Sequence, residues 1–272
     1  MSENRNPQHE QMADESMVRC LTAQADAIWP AESKLIESYA LKEDAKILDV
    51  GCGTGEFVRR FAQLGGCGTL TGVDLIEPHL EIARERCAHL GGRARFEVGD
   101  AFELAFDDGE FDFVVNRHML QSIPRPEAIV DELLRVTQPG GRIHLLAEDY
   151  AMIHFHPVPG DSDRFWQSGP IAFGHKLETD LRIGRRAFSI LAERGVQSIS
   201  VEYVVVDTLR VARQTFVAIW EAWRDGYTEA IAKNTELTLE EVQNYWAAMI
   251  DCLNDPNGYA IWHVPVISGL KP

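Results

Sequence analysis

At 272 residues, 45% of them hydrophobic, the chain is long enough to bury one large core, and the economical reading is one catalytic domain with an elaborated lid. Forty-two acidic residues against 26 basic ones give a formal charge of −16, a field that repels polyphosphates and offers no broad basic face, so nucleic acid is disfavoured as a substrate. Five cysteines without paired spacing suggest neither a disulfide framework nor a structural zinc site, and no apolar run approaches the roughly 20 residues needed to cross a bilayer. A reducing cytoplasm fits this usage.

In chain order, residues 1–15 are polar and acidic and read as a disordered tail. Residues 16–44 read as two cap helices divided at Pro30. From residue 45 to 150, strands and helices alternate. AKILDVGCGTG is a buried strand running into a glycine turn, EFVRRFAQLGG a helix, and TLTGVDL, ARFEVGD, FDFVVNR and RIHLLAED the following strands. This alternation predicts a parallel sheet covered on both faces. Residues 151–178 read as a long substrate loop with short pieces of structure, followed by a helix over about 179–194 and a strand over VQSISVEYVVVDT. A helix-rich insertion over 208–256 precedes a last strand, GYAIWHVPVISG. Residues 16–272 thus form a single domain.

The chemistry concentrates in the first glycine loop. Gly51, Gly53 and Gly55 alternate immediately after a strand, where a side chain would block a nucleoside from the backbone. The third glycine of a dinucleotide fingerprint would fall on Glu56, a poor neighbour for a pyrophosphate, and this disfavours a nicotinamide dehydrogenase. Asp74, about 20 residues on, ends the second strand where a carboxylate accepts ribose hydroxyls. Asp100 ends the third, where an adenine amino group can be held with Phe102 along the ring.

The stretches LDVGCGTGEF, GVDL, VGDAFEL, FDFVVNRHMLQSI and QPGGR resemble, in order and spacing, the motifs of class I S-adenosylmethionine-dependent methyltransferases, most closely their small-molecule branch with its quinone-biosynthesis enzymes. The resemblance covers residues 46–148 strongly and the rest only in element order. It implies a doubly wound α/β fold: a seven-stranded, mostly parallel sheet ending in an antiparallel hairpin, with N-terminal cap helices and, in this chain, a helical insertion between the last two strands. It also implies S-adenosylmethionine as cofactor. Gly51, Cys52 and Gly53 would contact its methionine end through backbone, and the Asn116 carbonyl its amine. Asp74 and Leu75 would lie at the ribose, and Asp100, Ala101 and Phe102 at the adenine. Gln24 and Trp29 would close over it from the cap.

Methyl transfer is an in-line displacement that depends on orientation and exclusion of water, with a base when the nucleophile carries a proton. Open α/β sheets place ligands at the carboxyl ends of their strands, which makes His118 after the fourth strand and Glu148, Asp149 and Tyr150 after the fifth candidate catalytic residues. His154 and His156, which alternate through IHFHP, are further candidate bases; two histidines alone do not establish a metal site, and none is assigned. In the insertion, Trp220, Trp223 and Tyr227 share a helix stripe that either packs on the sheet or lines a lid around an organic substrate. The expected acceptor is a small aromatic or amine-bearing molecule, taken up by a monomer or homodimer with no nucleic-acid or membrane partner. A methyltransferase fold without transferase activity, serving as a scaffold or for another reaction, is the alternative, and RNA methylation a more remote one.

Overall fold

The computed structural model describes residues 5–65 and 68–272; residues 1–4, 66 and 67, Cys67 among them, lie outside the described residues. A short helix α1 (His9–Met12) and a long α2 (Glu15–Ser38) precede an alternating core of β1 (Lys46–Val50), α3 (Glu56–Phe61), β2 (Thr69–Asp74), α4 (Glu77–Arg86), β3 (Ala94–Val98), β4 (Phe111–Arg117), α5 (Pro126–Val136) and β5 (Thr137–Leu146). There follow β6 (Ile153–His156), α6 (Ser162–Trp166), α7 (Ala172–Lys176), α8 (Gly184–Glu193), β7 (Gln197–Asp207), α9 (Arg213–Asn234), α10 (Leu239–Asn254) and β8 (Tyr259–Leu270).

The sheet runs β3-β2-β1-β4-β5-β8, parallel through β5, with β8 antiparallel to both β5 and β7. This is the expected seven-stranded arrangement with one addition. β6, inside the stretch read as a substrate loop, pairs with residues 259–262 of β8, while residues 266–270 of β8 pair with β5. The central strands are buried on both faces, which is why KILDV, FDFVV and IHLL read as continuous rather than alternating runs. α5 and α8 cover one face, α3, α4 and the end of α2 the other.

Three boundaries differ from the sequence expectations. Pro30 lies inside α2 rather than dividing two helices: it is on the exposed face, as is Asp26, whose carbonyl loses its helical donor there. Residues 5–15, read as part of a disordered tail, hold α1, the fully bonded cap Asp14 and the buried Gln8. The helix expected from residue 179 starts at Gly184, after a turn in which Asp180 accepts from the Arg182 amide at 3.0 Å. There the backbones approach so closely that a Cβ on Gly184 would lie 2.5 Å from the Ala147 carbonyl oxygen. The Gly184 amide in turn donates to the Glu148 carbonyl at 2.8 Å, which fixes the end of β5.

The insertion is not a loose flap. Trp166, Trp220, Trp223, Trp246 and Trp262 join Phe165 and Phe216 in a buried cluster that also takes in Met17, Cys20 and Ile28 of α2, which lies along α9. Among the described residues, no helix is long and apolar enough to cross a membrane.

Candidate functional site: a strand-end cleft beside an aromatic cavity

A cleft of about 790 Å³ opens at the carboxyl ends of β1, β2 and β4. Gly51, Asp74, Leu75, Asp100, Ala101 and Phe102 line it, six of the expected cofactor contacts. Gly51 holds a left-handed φ of +74°, and a Cβ there would stand 2.7 Å from the Met119 sulfur, so only glycine keeps this wall open.

The loop's amides are already used within the protein. Gly51 and Cys52 donate to the Val73 carbonyl at 2.8 and 3.0 Å, and Gly53 donates to Asp74 Oδ2 at 2.8 Å. The loop therefore shapes the cleft without offering these three N–H groups. Asp74 also accepts from the Ile76 amide at 2.9 Å and is thus clamped at the strand end. Asp100 accepts from the Phe102 amide and pairs with Arg5, both at 2.9 Å, and the Arg5 guanidinium lies over the Phe102 ring.

A recess of about 350 Å³ adjoins the cleft beside the loop, sharing Leu21, Gly51, Arg117 and His118 with it and adding Ala25, Asp49 and Cys52. Burial pushes the Asp49 carboxyl up to about 7 against the pull of Arg117. Arg117 is held by Glu32 of α2 through bonds of 2.8 and 2.7 Å. Glu32 also bonds His144, and although burial opposes its charge, Arg117 and His144 hold it down at about 2. Glu56, at the start of α3, lines the same recess and is ringed by Arg59, Arg60 and Arg86. An acid thus sits where a helix start would have to meet a pyrophosphate.

His118 adopts a left-handed φ of +54° at the exit of β4, which turns its ring toward the end of β5. Its Nδ1 stands 2.5 Å from Glu148 Oε1, with both side chains buried. With Glu148 ionised, its carboxylate accepts from the Nδ1–H of His118, since an ionised carboxylate can only accept. Neither Nε2 nor Glu148 Oε2 has a partner among the described residues.

The turn after β4 leads into a second cavity of about 410 Å³, and Ser122 lines both spaces. Its aromatic wall is Tyr150, Trp166, Phe173, Trp223, Tyr227 and Trp246. Gln8, only 3% exposed, closes it, with Nε2 donating to Thr179 and its carbonyl accepting from Tyr227, both at 3.3 Å.

Several expected residues fall elsewhere. His154 and His156 project from the exposed side of β6, His154 against Asp163 at 3.1 Å, because the strand buries Ile153 and Phe155 instead; neither lines the cleft or the cavity. Asp149 accepts from the Ala151 amide and bidentately from Arg185, a bracing role. On α2 the cleft meets Leu21, while Gln24 is buried off the cleft and Trp29 packs edge-on to Phe57. The Asn116 side chain donates to the Val50 carbonyl at 2.7 Å, and its Oδ1 is buried without a partner among the described residues. Gly53 faces Leu21 across a gap a Cβ would close to 2.9 Å.

Sequence reasoning missed Asp49, Arg117, Gln121, His79 and Gln8. Asp49 stood inside the quoted glycine motif and Arg117 inside NRHM, so both had a signal. His79 reads as an ordinary helix-start residue, yet it is buried in the cleft wall, where loss of water holds its imidazole below the usual value despite the pull of Asp74.

Residues 47–141 match a family model described as a methyltransferase domain. A demethylmenaquinone methyltransferase of Staphylococcus aureus is 32% identical over 117 residues, 43% of this chain and 47% of that protein, so the match spans about half the length of this curated relative. The YcgJ protein of Bacillus subtilis superposes with a TM-score of 0.58 at 15% identity, over 88% of this chain and 97% of that one. A phosphoethanolamine N-methyltransferase of Haemonchus contortus, solved with phosphomonomethylethanolamine and S-adenosylhomocysteine, superposes with a TM-score of 0.54 at 22% identity, over 85% of this chain and 50% of that one. At these identities the superpositions establish a shared fold.

Proposed function

We propose that this chain, whose residues 47–141 match a methyltransferase-domain model, transfers a methyl group from S-adenosylmethionine to a small aromatic or amine-bearing acceptor. The observation that carries the reading is the meeting, at Ser122, of a strand-end cleft and an aromatic cavity, with a buried His118–Glu148 pair in the cleft wall.

The residues fit the cofactor. Asp49, ionised above about 7, and Arg117 both line the recess, a match for the ammonium and carboxylate of an amino-acid tail. Gly51 leaves the wall open, and Asp74, Asp100 and Phe102 line the cleft, which supports Asp74 as the ribose contact and Asp100 with Phe102 as the adenine contacts. When bound there, S-adenosylmethionine supplies an electrophilic methyl group on a sulfonium.

The chain's own residues do the remainder. His118, oriented by Glu148, takes the proton from the attacking O–H or N–H at Nε2, a contribution of roughly 10²–10⁴-fold. Tyr150 and the tryptophans orient the acceptor and keep water out. Calorimetry with S-adenosylhomocysteine tests the reading: a saturable 1:1 heat, lost in Gly51→Val, is expected. Absence of heat with the folded protein would sink it.

A further inference from the structure

The aromatic cavity carries its own chemical signature, separable from the cleft. None of its lining residues is Asp, Glu, Lys, Arg or His. Burial raises the phenols of Tyr150 and Tyr227 above the usual value, so both stay neutral. No lining residue supplies a counter-ion, and the charge felt at the wall is that of the Glu148 carboxylate beside Tyr150, so an anion above all would be stripped of water here at a cost nothing offsets.

Three wall residues hold buried polar atoms without partners among the described residues: Gln121 Oε1, Trp166 Nε1 and Trp246 Nε1. Gln121 donates through Nε2 to the His118 carbonyl at 2.7 Å, and since a carbonyl accepts only from the amide nitrogen, the free atom must be the oxygen. It calls for a hydroxyl or N–H. The two indoles can only donate, and they call for an acceptor. The atoms lie on different elements. Gln121 and Ser122 belong to the turn that also borders the cleft, whereas Trp166 and Trp246 come from α6 and α10, which contribute nothing to it. Trp220 and Trp262 are also unpartnered at Nε1 but stand behind the wall.

An aromatic cage for a cation would need open ring faces. Trp166 instead meets Trp220, Trp223 and Trp246 edge to face, at interplanar angles of 80°, 79° and 87°, and the free N–H groups are the positive edges of their rings.

We infer that this cavity binds an uncharged, flat aromatic molecule that presents a hydroxyl or N–H to Gln121 at the cleft end and a carbonyl-type oxygen to Trp166 and Trp246 at the far end. The inference rests on the methyl-transfer reading only for which end reacts: the hydroxyl or N–H lies toward His118.

The test uses the whole chain, with tryptophan fluorescence and calorimetry at pH 7. The probe is 6-acetyl-2-naphthol, which carries a hydroxyl and a carbonyl at opposite ends. Comparators are 2-naphthol, 2-acetylnaphthalene, the anion 6-hydroxy-2-naphthoate and the cation 6-(aminomethyl)-2-naphthol. The neutral hydroxy ketone is expected to bind at least tenfold tighter than either charged analogue. Trp246→Phe should weaken it about fivefold and leave 2-naphthol unchanged. Gln121→Leu should weaken both hydroxyl probes and spare 2-acetylnaphthalene. A charged analogue binding as tightly, equal losses for all probes in both variants, or no binding by any neutral probe would overturn the inference. Heat with S-adenosylhomocysteine is read separately, so naphthol binding without it would fell the methyl-transfer reading and leave the cavity's ligand class standing.

Discussion

The cleft and the aromatic cavity share Ser122 yet are built on opposite terms. The cleft is held by backbone: amides of Gly51, Cys52 and Gly53 donate inward, and the carboxylates of Asp74 and Asp100 are tied at strand ends. The cavity is held by rings packed on rings, with polar atoms left over. The cleft's glycine loop and strand-end acids have their hydrogen bonds closed and can be rigid and common to many proteins, with His79 Nε2 and His118 Nε2 left open in the same wall. A wall with unpartnered donors and acceptors is complete only with a particular guest.

The sharpest test of this division lies where the spaces meet. His118→Ala should lower the rate of methyl transfer by roughly 10²–10⁴-fold, measured as S-adenosylhomocysteine formed, while its heat of binding is unchanged. Glu148→Gln, which keeps the shape but no longer fixes the Nδ1 proton, should show a smaller drop in the same direction. If both variants lose cofactor binding in step with rate, the pair belongs to the cleft's framework and not to proton transfer.

The second test asks whether the cavity's wall is core or lid. Trp220 is fully buried and touches the rings of Phe155, Phe216, Trp223 and Trp262. Trp220→Ala should cost about 3–5 kcal/mol in urea unfolding, the range for a large ring removed from a packed interior. A loss under about 1 kcal/mol would mean the insertion moves as a flap.

The two regions also differ in how far the sequence announces them. GxGxG after an apolar run, an acid about 20 residues on and a second acid after the third strand are local signatures, because backbone geometry at a strand end demands particular residues at fixed offsets. Gly51, Asp74 and Asp100 therefore stand in the cleft where expected. The cavity assembles from residue 8 to residue 246, and no offset encodes that. The stripe of Trp220, Trp223 and Tyr227 was legible as a helix face, but not its division: Trp220 packs the core, while Trp223 and Tyr227 line the cavity. His154 and His156 misled because alternation identifies one side of a strand without saying which side is buried.

A third prediction uses pH to separate the recess from the rest. Asp49 titrates near 7 when folded against 3.8 for the unfolded group, so the folded state holds its proton more tightly. Stability from this site is fully present below 3.8 and is lost as pH rises through 7, by up to about 4 kcal/mol. Asp49→Asn should flatten that slope in unfolding experiments between pH 4 and 8. Cofactor affinity should move the other way: the ammonium wants the carboxylate ionised, so S-adenosylhomocysteine binding to the natural protein should tighten across pH 6–8, and the variant should bind roughly tenfold more weakly at pH 8 without that trend. A variant with the natural pH trend would place the amino-acid end of the cofactor elsewhere.

The smallest effect concerns Arg5, which reaches over both regions' common cover. Its ion pair with Asp100 is half exposed, with side-chain exposures of 49% and 35%, and such pairs contribute at most about 1 kcal/mol. Its guanidinium lies over Phe102, so on the proposed reading, with Asp100 and Phe102 at the adenine, Arg5 would compete with the cofactor for the same two residues. Three positions later the same segment seals the aromatic cavity with Gln8. Arg5→Ala should therefore tighten S-adenosylhomocysteine binding two- to fivefold at low salt, with the gain fading as salt screens the ion pair. Gln8→Ala should leave that affinity alone and speed the on-rate of the naphthol probe. If Arg5→Ala weakens cofactor binding instead, the N-terminal segment is a wall of the cofactor site and not its competitor, and the two spaces share one cover that closes on the cofactor first.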